Sequence, residues 1–103
     1  MANVTTMTGD YEYSEWQLAG ARVKARRLTR SQKNYLKTHI DGPQPIITSG
    51  TNIRFAMQLR NHGLLKLDRQ YRPKVSTATL DGRLVIAVLL AEEADALMAA
   101  ETS

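Results

Sequence analysis

Apolar side chains recur at helical spacing near the start of the chain and again near its end, with strand-like alternation between them. Residues 14–27 carry an imperfect apolar stripe, which predicts a first helix. Its members are Trp16, Leu18, Ala19, Ala21 and Val23. Cations follow at the end of this segment, where they suit the negative pole of the helix dipole. Residues 1–9 are polar and small, and we expect residues 1–13 to form a flexible N-terminal segment.

A second helix is predicted to begin at Thr29 and to run to about His39. Thr29-x-x-Gln32 is a capping-box pattern, in which each of the two side chains satisfies a backbone donor of the other residue. Tyr35, Leu36 and Ile40 give the helix a buried face. Asp41-Gly42-Pro43 then ends it, because proline cannot continue a helix.

Residues 42–50 form a connector with two prolines and two glycines, in which Ile46 and Ile47 suggest a short strand. A third helix is expected over residues 51–62, with Ser49 or Thr51 as its N-cap. His62-Gly63 is a natural C-terminal stop.

A hairpin and a long last helix are predicted for the remainder of the chain. Residues 64–68 alternate like a half-buried strand, and residues 71–77 return as a second strand. Pro73 would confine this second strand to the edge of a sheet. Thr79 then caps a helix over residues 80–100, and we expect Gly82 to be tolerated in its first turn.

The predicted order is helix, helix, connector, helix, hairpin, helix. We therefore expect a mainly α protein with a small β-hairpin. A length of 103 residues accommodates one domain, which we place at residues 14–103.

Charge is distributed unevenly along the chain. Residues 1–19 hold three acidic residues, and residues 84–103 hold four. Neither segment contains a lysine or an arginine. Residues 20–83 hold all fourteen lysines and arginines against three aspartates, a net charge of +11. A basic middle between acidic ends is typical of a protein that binds a polyanion. The alternative is that the cations have no common function, because any sequence with a pI near 9.7 must contain many of them.

The composition argues against several classes of protein. The chain has no cysteine, which excludes disulfides and thiolate metal sites, and it shows neither a secretory signal nor a membrane span. We therefore expect a cytoplasmic location. His39 and His62 lie at predicted helix ends without a partner motif, so the sequence predicts no metal site, no cofactor and no enzymatic activity.

The motifs that follow the third helix resemble those of winged helix-turn-helix regulators, in particular the MarR-like ones, over residues 28–90. Leu59-x-x-x-Gly63-Leu64-Leu65 is similar to the end of a recognition helix, and Thr79-Leu80-Asp81-Gly82-Arg83 to the start of the helix after the wing. Leu28-Thr29-x-x-Gln32-x-x-x-Leu36 resembles the first helix of the module. The usual module has a further helix where this chain has only residues 42–50. The resemblance implies a winged helix-turn-helix with extra N- and C-terminal helices.

Side chains suited to reading bases lie on the third helix. Arginine pairs with guanine, and asparagine or glutamine with adenine, in the major groove. The candidates for base reading are Thr51, Asn52, Arg54 and Gln58. Capping and solvation are the alternative roles for each of them. Phe55 lies near the same side, and a buried Phe55 would turn the reading side away from Arg54.

Two further sets of cations are candidates for phosphate contacts. The wing contributes Arg69, Arg72 and Lys74, which could instead protect a sheet edge from aggregation. Arg30, Lys33 and Lys37 share one face of the second helix, which could also be a plain solvated face. The basic end of the first helix could likewise lie along a phosphate backbone.

The last helix is apolar on nearly all sides, which indicates more than one buried face. We expect a homodimer through this helix and the first one. The interface residues would be Trp16, Val85, Val88, Leu89 and Leu97. The alternative is that one face packs on the core and the others are exposed.

These patterns together predict a small DNA-binding protein, a transcriptional regulator of bacterial or phage type that occupies an operator on double-stranded DNA. The alternative is a protein-interaction module, such as a phage-encoded inhibitor that binds a host nucleic-acid-processing protein. An RNA-binding domain is a weaker rival, because an aromatic content of 6% offers few stacking platforms.

Overall fold

A computed structural model of the chain describes residues 6–8, 11–47 and 51–102. The described part is mainly helical, as the sequence predicts, and the two strands of the predicted hairpin belong to a small three-stranded antiparallel sheet. Its α-helices are α1 (Glu15–Arg26), α2 (Arg30–Lys37), α3 (Thr51–Asn61) and α4 (Leu80–Thr102). Its strands are β1 (Thr6–Thr8), β2 (Tyr11–Tyr13), β3 (Gln44–Pro45), β4 (Leu65–Leu67) and β5 (Val75–Ala78).

The first two helices begin where polar side chains satisfy their N-termini. Gln17 Oε1 accepts hydrogen bonds from both the backbone N–H and the hydroxyl of Ser14, at 3.0 Å each. The predicted capping box of α2 is confirmed, because Gln32 N donates to Thr29 Oγ1 at 3.2 Å and Thr29 N to Gln32 Oε1 at 2.9 Å. α2 ends at Lys37, and a 3₁₀ turn continues over Thr38–Asp41.

The buried face of α1 differs from the predicted stripe. Leu18, Ala21 and Ala25 are buried, at the spacing i, i+3, i+7 of one helix face. Trp16 and Val23 are exposed on another side of the helix. The predicted stripe was wrong because it mixed residues from two faces.

The sheet has the strand order β3-β5-β4, so β5 lies in the centre. Pro45 pairs with Val75 on one side of β5, and Leu67 with Ser76 on the other. The prediction that Pro73 places this strand at an edge is therefore wrong. Pro73 precedes the strand, and its missing N–H removes no hydrogen bond from the ladder. The short strand of the connector begins at Gln44, before the predicted isoleucines.

The first half of α4 forms the centre of the core. Residues 84–89 are all buried, because α1, α2 and β5 pack around them. Val85, Val88 and Leu89 retain exposed fractions of only 0, 4 and 6% in the single chain. The prediction that these three contact a second copy is therefore wrong. Trp16 and Leu97, the other two predicted interface residues, are exposed.

The turn into α4 depends on Thr79 and Gly82. Thr79 Oγ1 accepts from Gly82 N at 3.0 Å, which confirms the predicted cap, and donates to Gly63 O at 2.7 Å. A Cβ added to Gly82 would lie 2.0 Å from the carbonyl oxygen of Leu64. Gly82 is therefore required for close approach between the helix and the chain after α3, and the expectation that it is merely tolerated is wrong.

The N-terminal segment contains regular backbone structure that the sequence did not predict. β1 and β2 pair antiparallel, with Met7 opposite Glu12. The other residues of the predicted flexible segment, 1–5, 9 and 10, lie outside the described part of the chain. The same holds for Ser49, one of the two N-cap candidates of α3.

His39 joins the 3₁₀ turn to the sheet. Its Nε2 lies 2.6 Å from Ser76 Oγ, and its Nδ1 lies 3.2 Å from the carbonyl oxygens of Tyr35 and Leu36. Both His39 and Ser76 are buried. A neutral ring that donates from Nδ1 and accepts at Nε2 fits these contacts. His39 is thus a buried linking residue and not simply the exposed end of a helix.

We expect the folded state to lose stability in mild acid because of His39. Burial lowers the pKa of His39 below its ordinary value of 6.5, although the two carbonyl contacts act in the opposite direction. The unfolded chain therefore binds a proton more readily than the folded chain. The contribution of neutral His39 to stability is present above about pH 6.5 and is lost as the pH falls through the folded pKa.

Thermal unfolding followed by circular dichroism at several pH values measures this loss, and NMR titration of the His39 ring locates its pKa. A ring that titrates at or above 6.5 in the folded protein would contradict the assignment.

Candidate nucleic-acid interface

Helix α3 presents Arg54 to solvent and turns Asn52 towards the core. Ala56 and Leu59 are fully buried, and Asn52 precedes them at the spacing i, i+4, i+7 of one face. Arg54 lies on the opposite side and is exposed. Arg54 thus keeps the orientation that base reading requires, whereas the prediction that Asn52 shares its side is wrong. The side chain of Thr51 lies outside the described part of the structure.

Gln58 links α3 to α2. Its Oε1 accepts a hydrogen bond from Gln32 Nε2 at 2.9 Å, and Gln58 is half-buried. A glutamine that recognises adenine uses its oxygen and its nitrogen together, to N6 and N7. Because the oxygen already accepts a hydrogen bond from Gln32, recognition of adenine by Gln58 would have to share or replace this contact.

Phe55 packs beside α2 without displacing Arg54. Its ring centroid lies 6.1 Å from that of Tyr35, and Phe55 is half-buried. The tilted rings bring the two helices together through an aromatic contact. The outward side of α3 is therefore centred on Arg54, with Asn61 seven residues further on the same side and also exposed.

The hairpin of β4 and β5 carries an exposed basic loop, residues 68–74. Its three predicted cations, Arg69, Arg72 and Lys74, are all exposed. Tyr71 projects among them with 79% of its surface exposed. Tyr71 was not among the contact residues predicted from the sequence, although an aromatic residue between cations is a signal for nucleic-acid contact. A flat ring among cations can pack against sugars or bases while the cations contact phosphates.

Asp68 holds this loop in shape. Its Oδ1 accepts hydrogen bonds from the backbone N–H groups of Lys74 at 2.8 Å and Val75 at 3.0 Å. The hydrogen bond from the Val75 N–H is the largest cause of the lowered pKa of Asp68. Desolvation opposes it, and the Lys74 N–H and the nearby Arg69 guanidinium lower the pKa further. Arg72 has a φ of 49°, in the left-handed region that non-glycine residues seldom adopt. The loop therefore has a defined turn, on which the Arg72 side chain is exposed.

The row of cations on α2 is only partly available. Arg30, Lys33 and Lys37 lie on one face, as predicted, and Arg30 is exposed. Lys37 is paired with Glu93 of α4. Since that carboxylate competes with a phosphate for the same ammonium group, Arg30 and Lys33 are the better phosphate contacts on this helix.

Many cations of the basic middle have no carboxylate neighbour among the described residues. In the described ranges, the ion pairs within 4.0 Å are Lys24–Asp81, Lys37–Glu93 and Arg69–Asp68. Cations outside these pairs occur on α1, α2, α3 and the hairpin. They include Arg22, Arg26, Arg27, Arg30, Lys33, Arg54, Arg60, Lys66, Arg72 and Lys74. The basic middle of the sequence is thus a largely unneutralised positive surface in three dimensions.

Between the 3₁₀ turn and α3, the described residues contain β3 and no further helix. The described residues of this connector thus form a short strand where the module that the chain resembles has a further helix. Across the described residues, no group of three side chains is arranged to hold a metal ion. None of the described helices is both long and apolar enough to cross a bilayer.

Comparison of the chain with protein-family models, with curated proteins and with solved structures found no match in any of the three.

Proposed function

We propose that this chain binds double-stranded DNA as a small winged-helix regulator of bacterial or phage type. The observation that carries the proposal is the hairpin loop, which exposes Arg69, Arg72 and Lys74 together with the ring of Tyr71. A basic hairpin tip of this kind suits contact with phosphates and the minor groove. Asp68 fixes its shape before binding, which reduces the ordering entropy that binding costs.

The exposed side of α3 supplies the second element of the proposal. Arg54 projects from it and would recognise guanine O6 and N7, a pairing worth about 1–3 kcal/mol of discrimination. Asn61 lies on the same side, at the last residue of the helix. Arg30 and Lys33 on α2 would contact phosphates and set the orientation of α3 on the duplex.

Binding to duplex DNA over a salt series tests this function. Fluorescence anisotropy with a random duplex and with a sequence enriched from a random pool should both show affinity that falls steeply with salt. Arg54→Ala should reduce the preference for the enriched sequence by about tenfold while it changes random-duplex binding little. Absence of binding at low salt would exclude the proposal, and an unchanged preference in Arg54→Ala would exclude the reading role of α3.

A protein-interaction module is the second candidate function, and the outer face of the sheet favours it. Pro45 and Val75 are paired across β3 and β5, and both are exposed. Ile47 lies two residues after the end of β3, and 57% of its surface is exposed. An aliphatic patch beside a basic loop would suit an acidic and apolar protein segment. Substitution of Ile47 by serine should leave DNA binding unchanged and would weaken only such a protein complex.

A further inference from the structure

Tyr71 is exposed on a loop whose backbone is held in one shape. Its ring retains 79% of its surface. Asp68, at the start of the loop, accepts hydrogen bonds from the N–H groups of Lys74 and Val75, at its end, and Pro73 is buried beneath the tip. The exposure of the ring therefore belongs to the folded loop and does not arise from a loose segment.

The backbone between Tyr71 and Pro73 adopts an unusual conformation. Arg72 has a φ of 49° and directly precedes a proline, a position in which residues ordinarily take extended backbone. Such a conformation persists only where surrounding contacts fix it, and it occurs most often at functional sites. In this loop the burial of Pro73 and the two hydrogen bonds to Asp68 fix it.

The base of the hairpin is joined rigidly to the end of α3. Leu64 N donates to Leu59 O at 2.9 Å, and Thr79 N donates to Leu64 O at 3.0 Å. Both leucines are fully buried. Thr79 Oγ1 also donates to Gly63 O at 2.7 Å. The position of Tyr71 relative to Arg54 on α3 is therefore set before any DNA is bound.

The chemistry of the ring indicates which form of DNA it suits. An aromatic side chain contributes most to nucleic-acid binding when it stacks on the face of a base. In a closed duplex the neighbouring base pairs cover both faces of each base, so stacking requires unstacking first. Where a duplex opens into single strands, the first unpaired base already has a free face.

We infer that the preferred DNA of this chain is a junction between duplex and single strand, with Tyr71 stacked on the first unpaired base. The inference rests on the proposed function, because it requires that the chain bind DNA. Arg54 then contacts the paired side of the junction. The cations of the loop, Arg69, Arg72 and Lys74, contact phosphates beside the stacked base.

The number of aromatic residues favours a junction over an extended single strand. Tyr71 is the only aromatic residue in the loop, and the only one of α3, Phe55, is half-buried beside Tyr35. Proteins that bind long single strands stack successive bases on several aromatic side chains. One exposed ring suits one unpaired base, while the exposed guanidinium of Arg54 suits the major groove of paired DNA.

Fluorescence anisotropy with three DNAs of matched sequence tests the inference. They are a dumbbell duplex closed at both ends, the same duplex opened into a single-stranded fork, and the single strand alone. We expect the fork to bind about tenfold more tightly than the dumbbell, and the single strand to bind more weakly than the fork. Tyr71→Ala should abolish the advantage of the fork. Tyr71→Phe should retain it, because stacking uses the face of the ring and not the hydroxyl.

Trp16→Ala is the matched control, because it removes a ring with 78% of its surface exposed from α1 instead of the loop. It should leave the advantage of the fork unchanged. A 2-aminopurine at the first unpaired position reports on stacking directly. Its fluorescence should change when the wild-type chain or Tyr71→Phe binds, and should not change when Tyr71→Ala binds. Thermal melts of the Tyr71 variants should match the wild type, since the ring is exposed.

Equal affinity of the wild-type chain for the fork and the dumbbell would overturn the inference and leave the proposed function standing. Absence of binding to all three DNAs at low salt would overturn both. A single strand that binds as tightly as the fork would also overturn the junction. So would an advantage of the fork that persists in Tyr71→Ala, or one that Trp16→Ala abolishes equally.

Discussion

Gly82→Ala should destabilise the protein by about 3 kcal/mol or more, a loss that belongs among the large effects of single substitutions. The added Cβ would meet the Leu64 carbonyl oxygen at 2.0 Å, a distance at which the backbone itself must move. The nearby hydrogen bonds of Thr79, to Gly63 O at 2.7 Å and from its own N–H to Leu64 O at 3.0 Å, would be distorted by that movement. Since α4 forms the centre of the core, we expect the melting temperature to fall by roughly 10–20 °C.

Gly20→Ala is the matched control for this substitution. Gly20 also lies in a helix, but a Cβ there meets no atom within 4 Å. Alanine should therefore stabilise the protein by about 0.5–1 kcal/mol, through helix propensity alone. Thermal melts of both variants measure the contrast. A Gly82→Ala protein that is as stable as Gly20→Ala would show that α4 does not approach Leu64 closely.

Removal of two cations from the hairpin loop should weaken DNA binding by roughly one to two orders of magnitude at low salt. Arg72→Asn together with Lys74→Gln removes both charges, and asparagine tolerates the left-handed backbone at position 72. If each side chain neutralises one phosphate, the slope of log affinity against log salt should decrease by about 0.9 for each of the two cations removed. Fluorescence anisotropy over a salt series measures both quantities.

Arg22→Gln together with Arg26→Gln provides the comparison, because it removes the same net charge from exposed positions on α1. We expect the hairpin variant to lose more affinity than the α1 variant, while the two melt at similar temperatures. Equal losses would indicate that affinity follows net charge alone, and the hairpin would then have no special role. A larger loss in the α1 variant would favour the alternative in which the basic end of α1 lies along the phosphate backbone.

The sequence was sufficient to predict that a candidate interface residue is exposed where its exposure depends on local structure alone. The hairpin cations come after a segment with strand-like alternation and lie in the turn that follows it. A turn between two strands is exposed regardless of how the other elements pack. Arg54 is exposed because it lies opposite the apolar side of its own helix. Gln58 and Lys37 were not predictable in this way, since their partners, Gln32 and Glu93, lie 26 and 56 residues away. Such pairings depend on how two helices pack.

Local patterns along the chain were sufficient to specify the helices, the caps at Thr29 and Thr79 and the position of the hairpin, because capping boxes and apolar periodicity act within one turn or one strand. Which helix faces are buried depended instead on how the elements pack together. Six consecutive residues of α4, 84–89, are enclosed because three elements pack around them, and periodicity within α4 could not show this. Likewise, nothing in the sequence around Gly82, in the first turn of a helix, indicates that a glycine is required there. It is required because the Leu64 backbone lies too close to leave room for a side chain.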